Sequence, residues 1–452
     1  MTTKPLCFIA MPFGQKSVDG RSVEFDAVWK EVIAPAIEAA DMQPLRADEE
    51  QVGGIIHKPM FERLVLCDFT VADLTLANPN VFYEVGVRHA ARPETTVLIV
   101  ANEVRLPFDV AMLRTLPYRL GTDGRPSHAA EDAEKLGKLL KECREHRAYD
   151  SPLYQLLNGL TPLGVPSDRT DVFRDQVVYA EARKAELAKA RAIAKSSRRD
   201  AQAAVLAVRQ SVGKLDTVEA GVAIDLLLSF RAVSDWPAII SLVADMPSPL
   251  RATAMVQEQL GFALNRNRES EEAEKVLLDL IAQRGPSSET LGILGRVYKD
   301  RWASAKKAED FAAPALLQKA IDAYRRGFET DWRDHYPGIN AVTLMDINDP
   351  PDPERLRLIP VVRYSVERRI AGGKPDYWDW ATLLEIEVLD RHRKGAETAL
   401  GKALACIRES FEPETTANNL RLIREAREGR NEADGWAVTL ENELMKRAPP
   451  KG

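Results

Sequence analysis

The sequence is poor in the residues that build metal and disulfide sites. It has 4 cysteines and 6 histidines in 452 residues, scattered along the chain and with no C-x-x-C pair. We therefore expect no metal centre, no disulfide framework and no bound cofactor. The cysteines are interpreted as small buried hydrophobic residues or inert thiols. They are Cys7, Cys67, Cys143 and Cys406.

Long apolar runs are also missing. The apolar stretch at residues 6–11 meets Pro12 and is too short for a signal peptide or a membrane span. The net charge is only −6, so charge gives no reason to expect a nucleic-acid or membrane partner. We expect a cytoplasmic protein. Because 452 residues exceed the usual size of a single core, two or more folded units are expected.

The first 150 residues alternate short apolar segments with amphipathic ones, which is typical of a parallel sheet covered by helices. This part is predicted to be an α/β flavodoxin-like domain with a parallel five-stranded sheet in the order 2-1-3-4-5. The predicted strands are residues 6–11, 42–45, 69–74, 95–101 and 116–120. The predicted helices are residues 25–40, 54–65, 81–91 and 129–147, with Asn80 as the N-cap of the third.

Residues 151–175 are punctuated by Pro, Gly and Asp, which indicates a linker or an irregular docking segment. Residues 176–452 read as helices only. The first of these, at 176–212, is rich in Lys and Arg and is either a solvated helix or a face for self-association or anion binding.

Helix pairs follow from residue 255. Gly295 lies 34 positions after Gly261, which is the period of a tetratricopeptide repeat. We predict an all-α tetratricopeptide-like solenoid in which these glycines allow two helices to approach closely. The predicted pairs are 255–264 with 270–283, 290–302 with 313–328, 338–345 with 356–370, 377–390 with 394–407, and 415–427 with 435–447.

Candidate catalytic residues cluster where the third strand ends. Ligands of parallel sheets bind beyond the carboxyl ends of the strands, and this edge is predicted to hold Asp73 and Thr75. Asn80 then opens a helix whose first turn is predicted to carry Glu84. The first strand ends at the same edge, with a turn whose backbone a base or sugar could approach. The predicted nucleotide-binding residues are Ala10, Met11, Pro12, Phe13, Gly14, Thr75 and Asn80.

A carboxylate in such a crevice can attack or stabilise a sugar C1 carbon while an N-glycosidic bond breaks, because that transition state carries positive charge. Glu84 would take this role, and Asp73 would orient a ribose hydroxyl or move a proton. A structural interpretation stays open, because a helix dipole favours glutamate near its N-terminus and Asn-Pro-Asn is good turn chemistry on its own.

Four short motifs in this part carry a resemblance to a known superfamily. FIAMPF at 8–13, ADLT at 72–75, NV at 80–81 and YEVG at 83–86 resemble nucleoside 2-deoxyribosyltransferases and deoxyribohydrolase-like domains, which are related to TIR domains. The resemblance implies that Glu84 is the nucleophile or NAD-cleaving residue and that Asp73 lines the sugar pocket. Phe8 stands where many transferases have tyrosine, which favours hydrolysis or binding over transfer.

Four segments of the second part resemble the TRAFs-binding region of the apoptosis signal-regulating MAP kinase kinase kinases, in its bacterial form. They are 289–300, 324–329, 336–344 and 377–384. The chain has no Gly-rich loop, H-R-D or D-F-G of a kinase. The resemblance implies a regulatory or sensor protein of stress or anti-phage signalling, in which helical repeats bind a protein partner.

The sequence therefore supports two functional hypotheses. In the first, the N-terminal domain binds and cleaves a nucleotide or NAD under the control of the repeats. The alternative is a non-catalytic scaffold for protein interaction, whose crevice binds a nucleotide or nothing. Self-association is compatible with either hypothesis.

Overall fold

A computed structural model describes most of the chain. The described residues are 4–18, 21–46, 57–102, 104, 106–111, 113–146, 148–157, 159–161, 164, 167–216, 218–373, 375–408, 411–432 and 435–447. Two compact units divide the chain, Met1–Ser229 and Phe230–Gly452. Within the described residues, no helix combines the length and the hydropathy needed to cross a bilayer.

The first unit is built on a parallel five-stranded sheet. Its strands are β1 (Leu6–Ala10), β4 (Gln43–Arg46), β5 (Phe69–Asp73), β6 (Thr96–Ala101) and β7 (Thr115–Tyr118). They lie in the order β4-β1-β5-β6-β7, and every neighbouring pair is parallel. Counted along the chain as strands of this sheet, the order is 2-1-3-4-5, so the predicted flavodoxin-like fold is confirmed.

An antiparallel hairpin that was not predicted stands apart from this sheet. Its strands are β2 (Gln15–Val18) and β3 (Arg21–Glu24). The Asp19-Gly20 dipeptide between them in the sequence is a strong hairpin signal and could have revealed it.

The first crossover helix follows the hairpin and is interrupted by a π-helical segment. It consists of α1 (Phe25–Val28), the π segment Trp29–Ile33, and α2 (Ala34–Ala39). Pro35 lacks a backbone N–H and cannot donate to the carbonyl of residue 31, which accounts for a change of hydrogen-bond pattern at this point.

The remaining helices of the sheet domain lie close to their predicted positions. They are α3 (His57–Leu66), α4 (Pro79–Ala91) and α6 (Ala129–Glu145). Two short helices were not predicted: α5 (Phe108–Ala111), and α7 (Pro152–Leu156) in the segment expected to be a linker. The start of the helix predicted at 54–65 lies outside the described residues. One prediction was wrong: the N-cap of α4 is Asn78, whose side chain accepts from the N–H groups of Asn80 and Val81. Pro79 favours this earlier start because its fixed φ suits the first helical position.

Alternate residues of β1 enter two different cores, as the two-residue period of a strand requires. Cys7 and Ile9 pack with α1, α2 and α6 on one face, whereas Leu6 and Phe8 pack with α3 and α4 on the other. Phe173 also packs in this second core. Part of the segment at 151–175 is therefore helical and docks on the sheet domain.

Three long helices complete the first part of the chain. They are α8 (Ser167–Ile193), α9 (Arg198–Val212) and α10 (Ala220–Ala232). A buried ion pair joins Arg63 of α3 to Glu219, which precedes α10, at 3.6 Å. These contacts tie α8 and the start of α10 to the helix layer over the sheet.

The second unit is a tetratricopeptide-like array of helix pairs, as predicted. It opens with α11 (Trp236–Asp245) and α12 (Ser248–Arg251), which were not predicted. The first helices of the pairs are α13 (Ala254–Arg266), α15 (Ser288–Lys307), α17 (His335–Ile347), α19 (Tyr377–Leu389) and α21 (Phe411–Gly429). The second helices are α14 (Ser270–Arg284), α16 (Ala313–Thr330), α18 (Arg355–Ala371), α20 (Arg393–Ala405) and α22 (Ala437–Met445).

The two glycines that suggested the repeat lie at close contacts between helices, as predicted. A Cβ on Gly261 would lie 2.8 Å from the side chain of Leu277 in α14, and a Cβ on Gly295 would lie 2.7 Å from the ring of Tyr324 in α16. Each glycine therefore lets the two helices of its pair approach closely.

Polar side chains join the first helices of successive pairs. Lys299 of α15 donates to the side-chain oxygens of Asn340 and Asn419, at 3.1 and 3.2 Å. Asn419 of α21 donates in turn to Glu385 of α19 at 3.0 Å. Lys299 and Glu385 are both buried. One hydrogen-bonded chain thus links α15, α17, α19 and α21.

Candidate functional site

The candidate site lies where the carboxyl ends of β1 and β5 meet. Ala10, the last residue of β1, is in register with Ala72 of β5. From β1 the chain passes to β4 on one side, and the next connection returns through α3 to β5 on the other side. The strand order therefore reverses between β1 and β5, and ligands of such folds bind at this topological switch point. Helix α4 packs against both strands and begins at this edge.

Asp73 and Thr75 are brought together in a buried network. The backbone N–H of Thr75 donates to Asp73 at 2.9 Å, and the Tyr118 hydroxyl donates to the other carboxylate oxygen at 2.9 Å. The Thr75 and Tyr118 hydroxyls are 3.0 Å apart, and the Ala101 N–H donates to Thr75 at 2.8 Å. Tyr118 was not predicted as part of the site.

Burial shapes the chemistry of Asp73. Its exposed fraction is 0%. Removal from water raises the pKa of its carboxyl to about 6, although the hydrogen bonds from Thr75 and Tyr118 act against this shift. In this arrangement the Asp73 oxygens face the Thr75–Tyr118 network rather than solvent, so Asp73 is placed to hold the edge of the sheet in position.

Glu84 has a different environment. Because α4 begins at Pro79, Glu84 lies in the second turn rather than the predicted first turn, and the first turn carries no acid. Burial raises the pKa of its carboxyl to about 7. Among the described residues, none donates a hydrogen bond to Glu84 or pairs with it. A helix-dipole role is weakened by this position, since the effect fades beyond the first turn.

The turn after β1 forms the other wall of the candidate site. Met11 and Pro12 are buried, and Phe13 and Gly14 are half-buried. Gly14 has a φ of +60°, and its carbonyl accepts from the Phe25 N–H at 3.0 Å. A Cβ on Gly14 would meet nothing within 4 Å, so its surroundings are open.

Arg46, which was not predicted as part of the site, packs against the turn after β1. Arg46, the last residue of β4, donates to Asp26 at 2.7 Å, and its guanidinium lies 4.4 Å from the centre of the Phe13 ring. Partial burial acts to raise the pKa of Asp26, but the bond from Arg46 holds it below its ordinary value. The stacked guanidinium fixes the orientation of Phe13.

A second unpredicted arginine fixes the helix that carries Glu84. Arg88, one turn beyond Glu84, is fully buried and donates to the carbonyls of Leu64 and Cys67 at 2.7 and 2.9 Å. It also donates to the Thr95 hydroxyl at 2.9 Å. Carbonyls at the end of α3 are satisfied in this way, so α4 is held in a defined position.

Two further residues of α4 differ in setting. Asn80, a predicted binding residue, is exposed on the first turn. His89 is buried, and burial lowers its pKa to about 4. Within the described residues there is no group of three histidine, cysteine, aspartate or glutamate side chains that could hold a metal ion.

The fold defines a class: an α/β domain with a parallel five-stranded sheet, joined to tetratricopeptide-like repeats. The family follows from sequence comparison. The model of the MAP3K TRAFs-binding domain matches residues 81–440, and the chain belongs to this family. The match includes α4 with Glu84 and nearly all of the helix pairs.

Individual relatives are distant. Human mitogen-activated protein kinase kinase kinase 6 is 28% identical over 299 residues, covering 60% of this chain and 22% of the kinase. Mouse mitogen-activated protein kinase kinase kinase 15 is 28% identical over 149 residues, covering 31% of this chain and 11% of the kinase. The chain thus spans only a minor part of the kinases it matches.

Solved structures give weaker similarity. The human IFIT1 dimer with PPP-AAAA aligns with a TM-score of 0.36 and 12% identity, over 56% of each chain. The human IFIT1 dimer with m7Gppp-AAAA aligns with a TM-score of 0.37 and 15% identity, over 71% of this chain and 75% of that chain.

Proposed function

We propose that this protein is a signalling regulator in which the helical repeats bind a protein partner and the α/β domain binds a nucleotide or NAD. The family match supports the regulatory role, since the related human and mouse proteins are signalling kinases. The α/β domain is proposed to act as a deoxyribohydrolase-like, TIR-related unit whose activity the repeats control.

The observation that carries the nucleotide part is the state of Glu84. A half-buried carboxyl with a pKa near 7 and no partner among the described residues costs folding free energy, and functional sites concentrate such groups. Glu84 would stabilise positive charge at a sugar C1 carbon as the N-glycosidic bond breaks, or attack that carbon as its ionised form.

Other residues would have supporting roles. Phe13, held by Arg46, would stack on the base, and the open backbone at Gly14 would admit the sugar or base. Asp73 would position the edge through Thr75 and Tyr118, since its own carboxyl is buried. Asn80, exposed on the first turn of α4, would contact the polar part of the ligand.

Binding by the full chain tests the proposed crevice. Titration calorimetry with NAD and a nucleotide panel is expected to give a ligand whose affinity falls about tenfold in Phe13→Ala, because stacking on an aromatic ring contributes about 1–3 kcal/mol. Phe311→Ala, at a fully exposed phenylalanine just before α16 in the second unit, is the matched control. Equal loss in both variants, or no binding by the wild type, contradicts the proposal.

The second candidate function is the non-catalytic scaffold. The burial of Asp73 favours it, because the acid expected beside the sugar faces its own network instead. Binding without release of free base, together with capture of a protein partner by the repeats, would support this alternative.

A further inference from the structure

Helix α18 has an exposed apolar face that distinguishes it from the neighbouring second helices. Leu356, Val361 and Tyr364 are 65%, 41% and 54% exposed. Within the described residues, α16 and α20 expose no large hydrophobic side chain, and α14 exposes only Leu278. A cluster of this kind on one repeat marks an interaction surface better than scattered single residues do.

Trp332 extends this face from the turn before α17. It is 50% exposed, and its ring centre lies 6.5 Å from that of Tyr364. The Ser365 hydroxyl donates to the Arg333 carbonyl at 3.1 Å, which holds this turn against α18. We call Trp332, Leu356, Val361 and Tyr364 the α18 face.

The α18 face is not needed for packing inside the repeats. Helix α18 uses its other side for that purpose, where Ile359, Val362 and Val366 are buried in the core of the second unit. The exposed residues can therefore be changed without opening the core.

Charge indicates what would cover this face. Helix α18 contains five arginines and one glutamate, and two of these arginines form ion pairs with buried acids of α17 and α19. Around the face, the side chains of Arg333 and Arg357 are 76% and 80% exposed, whereas their partners Asp331 and Glu354 are 37% and 43% exposed. The cations thus extend further into solvent than the anions that pair with them, and the rim attracts negative charge.

A second copy of this chain suits the rim less well than an acidic partner. Residues near the axis of a two-fold contact meet their own copies, which would place rim arginines against each other. We propose that the α18 face docks an acidic amphipathic segment of a partner protein, with Trp332 and Tyr364 as the anchors. This inference rests on the proposed protein-binding role of the repeats. Tryptophan, tyrosine and arginine are the residues that most often carry interface affinity.

The test uses the full chain and labelled synthetic peptides of about 18 residues, long enough for a helix to lay one apolar face on the protein. One peptide has leucines at i, i+3, i+4 and i+7 with glutamate elsewhere. A second has lysine in place of glutamate, and a third has the leucine positions scrambled. Fluorescence polarisation is expected to show at least tenfold tighter binding of the first peptide, weakened as salt is raised.

Tyr364→Ala and Leu356→Ala are expected to weaken that binding about tenfold. Leu278→Ala, at a 43% exposed leucine of α14, is the matched control and should leave it unchanged. Circular dichroism melts check that each variant is folded. Equal binding of the acidic and basic peptides, or equal loss in Tyr364→Ala and Leu278→Ala, overturns the proposal.

Sedimentation velocity tests whether a second copy of this chain covers the α18 face instead. A wild-type dimer that Tyr364→Ala dissociates would mean that a second copy covers the face, and would also overturn the proposal. Site-specific cross-linking separates this inference from the protein-binding role. If a partner protein cross-links only to other repeats, the proposed protein-binding role stands and the proposal for the α18 face fails.

Discussion

Glu84 is held where its charged form is disfavoured, which has a consequence for stability. In the unfolded chain a glutamate titrates near its ordinary pKa of about 4.3, whereas in the fold the pKa of Glu84 is about 7. Between these values the folded state binds the proton more tightly. Stability from this group is therefore greatest at low pH and is lost as pH rises through 7.

Glu84→Gln should remove this pH dependence. We expect little change in the free energy of unfolding at pH 4.5 and a gain of about 1–3 kcal/mol over wild type at pH 8, where the wild type must bury a charge. Urea denaturation at both pH values measures it. Glu38→Gln, at an exposed glutamate of α2, is the control and should track the wild type. Destabilisation by Glu84→Gln at pH 8 would refute the account of its environment.

Tyr118 is expected to be structural. Tyr118→Phe removes the donor to buried Asp73 and the contact with Thr75, and should lower the free energy of unfolding by about 1–3 kcal/mol. Chemical denaturation measures the change. Tyr83→Phe, at a 56% exposed tyrosine on α4, should have almost no effect. Equal effects of the two changes would show that the hydroxyl network does not support the edge.

The sequence predicts only part of the site at this scale. Asp73 and Thr75 could be placed together because they lie two residues apart at the end of one strand. Tyr118 comes from another strand and Arg46 from the opposite side of β1, so only the folded register brings them to the edge. The catalytic role of Glu84 and the ligand contacts of the β1 turn stay predictions.

At the scale of the element, two glycines of α15 offer a matched comparison. Gly295→Ala would place a Cβ against the Tyr324 ring and should destabilise the protein by about 1–3 kcal/mol through overpacking. Gly292→Ala meets its nearest atom, in Tyr336, at 3.5 Å, so it should be neutral or stabilise by up to about 1 kcal/mol. Thermal denaturation measures both. A reversed order would contradict the close approach of α15 and α16.

Elements with strong periodicity were predictable, and those set by local detail were not. The five strands and the helix pairs follow apolar patterns that persist over many residues. The sequence Asn78-Pro79-Asn80 contains two residues that could cap α4. Asn78 is the N-cap because proline is favoured at the first helical position, which Pro79 occupies. The segment at 151–175 has the composition of a loop, yet Phe173 of α8 is buried against the sheet domain because tertiary packing outweighs that composition.

At the scale of the whole molecule, the buried network of Lys299 links helices far apart in sequence. Lys299→Met or Glu385→Leu alone would leave an uncompensated buried charge and should cost about 3–5 kcal/mol. The double variant should recover much of this loss. A double-mutant cycle by urea denaturation measures the coupling, and additive losses would contradict a shared network.

The two compact units need not coincide with the two functional parts. Contacts group α8 and α9 with the sheet domain, whereas the family match runs from α4 into the last helix without a break at residue 230. The boundaries expected from sequence, near 150 and 176, stay predictions. Regulation of the crevice by the repeats is compatible with this continuity.

The most direct test of the central claim is chromatography of free base after incubation of the full chain with NAD and with each nucleotide of a panel. The account predicts base release by wild type and by Glu38→Gln, and none by Glu84→Gln. Equal release by Glu84→Gln, or no release from a ligand that the wild type binds, would contradict it.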